Sequence, residues 1–161
     1  MRICINNLKN MQKCYIIYYI LLLEYRGVFM TRKKLREQAF VMLFEYSFRK
    51  DSAAELFEIA TEVGNFVEDE YATGVVSIAI ENVEEIDSII AEYSKGWKTE
   101  RISKVVLAAL RLAIAEIKFF SDIPESVSIN EAVELIKTYA TEQDASFANG
   151  ILGSFVRANN K

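Results

Sequence analysis

Arg32-Lys33-Lys34 and Arg36 put four cations into five residues. Positive charge at that density, on a chain of net charge −4, is the chemistry of phosphate binding. Lysine and arginine neutralise a nucleic-acid backbone and release its counterions. The same cluster also reads as ordinary solvated charge. A helix N-terminus disfavours cations by only about 0.3–1 kcal/mol each, so the dipole does not decide between the two. Phe147, within Asp144-Ala145-Ser146-Phe147-Ala148-Asn149-Gly150, is the second candidate. An aromatic near a helix start could stack on a base or fill a partner's pocket. It could equally be a core residue on the stripe Phe147, Ile151 and Phe155.

The residues that most enzymes need are missing. The chain has no histidine, which removes Ser-His-Asp and Cys-His triads, His-ligated metals and the usual general base near neutral pH. It has no phosphate-binding glycine loop, no dinucleotide fingerprint and no nucleophile elbow. The acids fall at spacings of solvated helix faces, as in Glu81, Glu84, Glu85 and Asp87. A carboxylate metal site would need inward-facing acids on several helices, and the apolar stripes leave little room for them. Both cysteines, Cys4 and Cys14, precede Met30, so neither a disulfide framework nor a Cys-type zinc site is expected beyond it. No catalytic residue, metal or cofactor is expected.

The elements that must position the two candidates read as helices. One proline and six glycines in 161 residues are too few for a turn-rich β fold. From Thr31, a plausible N-cap, Leu35, Ala39, Met42 and Tyr46 share one helical face. Asp51 or Ser52 can cap a second helix with the stripe Leu56, Ile59, Ala60 and Val63, stopped by Gly64. A third covers about residues 68–81. A fourth carries Ile86, Ile89, Ile90 and Tyr93 and ends near Gly96. The longest apolar helix spans about 99–120 and should be central and buried. Ser128-x-x-Glu131 reads as a capping box opening the next helix, through Lys137, and Asp144 can cap the last. The prediction is an all-α fold of about seven helices, with an N-terminal group (31–95) packed on a C-terminal group (97–161). Trp97, Leu110, Ala113, Ile117, Leu135 and Leu152 should be buried. Arg111, inside the apolar helix, should be paired if buried.

Residues 1–29 differ from the rest. They hold four of the 19 basic residues and one of the 23 acids, so the remainder carries a net −7. Their apolar run, residues 14–23, is too short to cross a bilayer. Lys9 and Lys13 before it resemble a signal-peptide start, but no small-x-small cleavage site follows. Three readings stand: upstream sequence ahead of a true start at Met30, a disordered extension, or a targeting or membrane-associated segment.

An ordered series of motifs then carries a resemblance: Trp97…Arg101, residues 110–117 (LRLAIAEI), Ile123-Pro124, residues 127–135 (VSINEAVEL), and residues 147–152 (FANGIL). Over about Thr31 to Phe155 the chain closely resembles the NusB family of bacterial transcription antitermination factors. Met30 falls where chains of that family usually begin. The resemblance implies an all-helical, non-enzymatic, cytoplasmic protein of two helical subdomains. It implies pairing with the ribosomal protein NusE and joint binding of boxA-type single-stranded RNA. It places the pair in an RNA polymerase antitermination complex that supports ribosomal RNA transcription.

Carried onto this chain, the family's RNA contacts fall on Arg32, Lys33, Lys34, Arg36 and Phe147. Its partner contacts fall on Phe44, Glu100 and Asp144. Three departures stand out. Leu43-Phe44 replaces a usual leucine-tyrosine. Val105, Val106 and Leu107 stand where charged residues are common. Gln143 holds a position that is acidic in some members, with Asp144 after it. A net −7 body with one cationic end should bind RNA weakly alone and more tightly beside a basic partner. The alternative reading is a helical protein-interaction module that binds no RNA.

Overall fold

The computed structural model describes residues 30–63, 66–94, 96 and 99–159. Residues 1–29, Gly64 and Trp97 lie outside that set, so the expectations placed on them do too. Among the described residues there are seven α-helices, one 3-10 turn and no strand. The helices are α1 (Arg32–Arg49), α2 (Ala53–Glu62), α3 (Glu70–Glu81), α4 (Val83–Tyr93), α5 (Lys104–Phe119), α6 (Glu125–Tyr139) and α7 (Glu142–Asn159).

The helix starts follow from side-chain oxygens that satisfy the free N–H groups of the first turn. Thr31 Oγ1 accepts from Lys34 N at 3.3 Å. Ser52, rather than Asp51, caps α2 in a capping box with Glu55. Asp69 accepts from the N–H groups of Tyr71 and Ala72 at the start of α3. Three starts differ from expectation. The central helix begins after Ser103, whose hydroxyl accepts from Val106 N, and residues 99–101 form a separate 3-10 turn. The sixth helix begins after Pro124, so Ser128 lies inside it and is buried. Proline's preset φ suits a helix entry better than a serine four residues later. At α7 the cap is Thr141, and Asp144 is its reciprocal partner: Asp144 Oδ2 accepts from Thr141 N while Asp144 N donates to Thr141 Oγ1.

Helix α5 is the axis of the fold. Every residue from Val106 to Glu116 is buried, and the helix packs against α1, α3, α4, α6 and α7. One apolar cluster runs from Leu35 of α1 to Phe155 of α7, through both the 31–95 and the 97–161 groups. Leu110, Ala113, Leu135 and Leu152 are buried as expected, whereas Ile117 is only half-buried because the core ends one turn before α5 does. Val63 is 51% exposed, so the α2 stripe stops at Ala60. Arg111 has its expected partner. Its Nε and Nη2 donate to the two Asp87 carboxylate oxygens at 2.8 and 2.7 Å, and Nη1 donates to Ser47 Oγ. Asp87 is therefore a structural ion-pair partner set into the fold, whereas Glu84 and Glu85 beside it are exposed, Glu85 pairing with Lys118 at the surface.

Candidate nucleic-acid interface

The first turn of α1 holds the basic cluster and carries no acid of its own. Arg32 and Lys33 are exposed and Lys34 is half-exposed. Lys34 Nζ lies 3.5 Å from Glu37 Oε2, and Glu37 in turn accepts a hydrogen bond from the Tyr139 hydroxyl of α6. Arg32 Nη2 lies 3.8 Å from Asp122 Oδ2, in the α5–α6 turn. Its guanidinium carbon sits 4.1 Å from the centroid of the Tyr71 ring, within cation–π range.

Arg36 is not part of this exposed set. It is 6% exposed, one turn further along α1 and facing inward. Its Nε donates to Glu116 Oε1 at 2.7 Å, and Glu116 itself is 1% exposed. The Tyr71 hydroxyl donates to the same carboxylate oxygen. Burial, then the adjacent Glu116 carboxylate, push the Tyr71 phenol far above its ordinary range, so the ring stays neutral. The structure thus places Arg36 in the core, apart from the exposed Arg32 and Lys33, with its Nε given to a buried carboxylate.

The remaining candidates separate. Phe147 lies in the second turn of α7, partly buried against the core, with Ile151 and Phe155 fully inside. Asp144 is half-buried and engaged in the α7 cap. Phe44 is buried, stacked on Phe40 and edge-on to Phe48, so a partner would meet Phe48, 44% exposed, before it meets Phe44. Glu100 is exposed in the 3-10 turn, which packs on α4. The α6–α7 corner is tied to α1 by Tyr139, whose ring stacks on Phe40 at 5.4 Å. Among the described residues no cluster of three or more potential ligand residues could hold a metal ion, and no helix is long and apolar enough to cross a membrane.

The residues that the sequence reading missed are Tyr71, Glu116, Asp122, Glu37 and Tyr139. Only Glu116 left a trace: it is the single acid within an apolar helix, which demands a buried cation as partner.

The sequence pattern of the NusB family matches residues 33–157. The chain belongs to the NusB family. The transcription antitermination protein NusB of Agathobacter rectalis is 48% identical over 130 residues, covering 78% of this chain and 99% of that protein. The protein of the same name from Acetivibrio thermocellus is 47% identical, covering 80% of this chain and 90% of that one. Among solved structures, T. maritima NusB superposes with a TM-score of 0.67 at 35% identity, covering 81% of this chain and 93% of that one. A complex of the antitermination factors NusB and NusE with dsRNA contains a chain with a TM-score of 0.70 at 34% identity, covering 79% of this chain and 96% of that one. The NusB fold is thus the one described above, with the basic turn of α1 at its surface.

Proposed function

We propose that this NusB family member is a transcription antitermination adaptor, not an enzyme. It holds boxA-type RNA jointly with the ribosomal protein NusE, in the cytoplasm, within an RNA polymerase antitermination complex on ribosomal RNA operons. The observation that carries the reading is the exposed Arg32-Lys33-Lys34 turn on a body that is otherwise acidic. Single-stranded RNA is held by cations along its backbone and by rings on which bases stack. The three cations supply the first. Phe147, half-exposed one turn into α7, supplies the second. Asp144 and Glu100 are the proposed partner-facing acids, and Phe44 acts through the exposed edge of Phe48.

The net −7 of residues 30–161 disfavours an RNA strand on the body as a whole, and that turn is a local concentration of the opposite charge. A basic partner on the acidic faces lengthens the positive surface available to the strand. Binding is accordingly weak for the chain alone and tighter for the pair. The test is RNA binding by the full chain, with and without NusE. Tighter binding in the pair, weakened by Phe147→Ala, is the expected result. Equal affinity in both cases overturns the adaptor reading. Formation of the pair without any RNA binding would leave a protein-interaction module.

A further inference from the structure

Tyr71 is buried, yet the group that covers its ring is an exposed cation. The hydroxyl end of the ring is pinned by Glu116, which is itself held by Arg36. Phe120 packs edge-on against the ring at 6.0 Å. The Arg36 guanidinium lies 5.7 Å from the ring centroid, and that of Arg32 lies closer, at 4.1 Å. Tyr71 can hardly move, because its hydroxyl, edge and face are all engaged. The Arg32 side chain is 45% exposed, and among the described residues it meets that ring and, more loosely, Asp122.

We propose that Tyr71 is a positioning residue for RNA binding, its pinned ring holding the Arg32 guanidinium flat and outward, ready for a backbone phosphate. The inference rests on the RNA-binding role proposed above for the start of α1. A free arginine side chain loses rotamer freedom when it docks on a phosphate, and a guanidinium already stacked loses less. Stacking engages the guanidinium's π-face and leaves its N–H edge available for bidentate hydrogen bonds to phosphate. Lysine carries the same charge but cannot lie flat on a ring, so charge and positioning are separable at this residue.

The experiment measures affinity of the full chain, with NusE, for a labelled boxA-type RNA oligonucleotide. Arg32→Lys should weaken binding about three- to ten-fold although charge is unchanged. Tyr71→Leu should weaken it by a similar factor, and Tyr71→Leu in the Arg32→Lys background should add little. Tyr71→Phe, which keeps the ring, should restore affinity to within about two-fold of the original chain. In RNA-free protein, the Arg32 side-chain NMR signals should be ring-current shifted in the original chain and in Tyr71→Phe, and unshifted in Tyr71→Leu. Equal affinity of Arg32→Lys and the original chain overturns the proposal, and that variant lies on the surface and carries no folding risk. Multiplicative losses in the double variant overturn it too, as do unchanged Arg32 signals in Tyr71→Leu. Joint charge reversal of Arg32, Lys33 and Lys34 without loss of RNA binding would instead remove the RNA-binding reading itself.

Discussion

Replacing Glu116 by glutamine should be among the most damaging single changes in this chain. Glu116 is 1% exposed and is the acceptor for both Arg36 Nε and the Tyr71 hydroxyl. Glutamine keeps the shape and removes the charge, so the Arg36 guanidinium stays buried without a counter-ion. Breaking a buried pair from one side costs about 3–5 kcal/mol. At roughly 3–4 °C per kcal/mol for a body of this size, the melting temperature should fall by about 10–20 °C. The control replaces the whole triad by apolar groups, in the triple variant Arg36→Met, Glu116→Leu and Tyr71→Phe. It removes both charges and the hydroxyl together, and should recover most of the loss. Urea unfolding followed by far-UV circular dichroism reads all three proteins. A cost below about 1 kcal/mol for Glu116→Gln refutes the reasoning. So does a triple variant no more stable than Glu116→Gln. Because the triple variant keeps a ring at position 71, its RNA affinity should survive although its charged triad is gone.

Leu110 is fully buried on α5, so Leu110→Ala should cost about 2–5 kcal/mol in the same urea assay, and a cost under about 1 kcal/mol would displace α5 from the centre of the fold. Burial holds the Glu45 carboxyl above its ordinary range, against an opposing pull from Arg49. A raised folded-state pKa means that the protonated form is favoured on folding. That stability is fully present below the unfolded value near 4.5 and is lost as pH rises through the folded value. Glu45→Gln should therefore stabilise the protein at pH 7 and have a smaller effect at pH 4, checked by melting temperature at the two values. Asp122 is exposed and lies 3.8 Å from Arg32, where it would compete with a phosphate for the guanidinium. Asp122→Asn should raise RNA affinity by about two- to five-fold, measured by fluorescence anisotropy, and a fall in affinity would count against Arg32 as the contact.

What was legible in the sequence is what short-range pattern determines. The face shared by Leu35, Ala39 and Met42, the buried run of α5 and the stripe of Ile151 and Phe155 all follow from helical periodicity, and the structure buries them. Family motifs reached further, to the NusB fold and its relatives. Contacts between distant segments were not legible. Arg36 sits in a run of cations and looks like its neighbours, but its partner is Glu116, eighty residues away. Whether a cation faces RNA or a buried acid depends on which side of α1 it occupies, and four cations in five residues cover more than one side. The Ser128-x-x-Glu131 pattern failed for a related reason. A capping motif is defined by what precedes the helix, and here Pro124 had already started it.

The central claim is that the start of α1 grips an RNA backbone through Arg32, Lys33 and Lys34 while Arg36 serves the core. The salt dependence of RNA binding tests it most directly. Each neutralised phosphate on a single strand contributes roughly 0.7 to the slope of log affinity against log salt. With NusE present, joint replacement of Arg32, Lys33 and Lys34 by glutamine should flatten that slope by about 2 and leave the fold and the pairing with NusE intact. An unchanged slope with a folded, paired protein would contradict the account and assign the basic turn to ordinary surface charge.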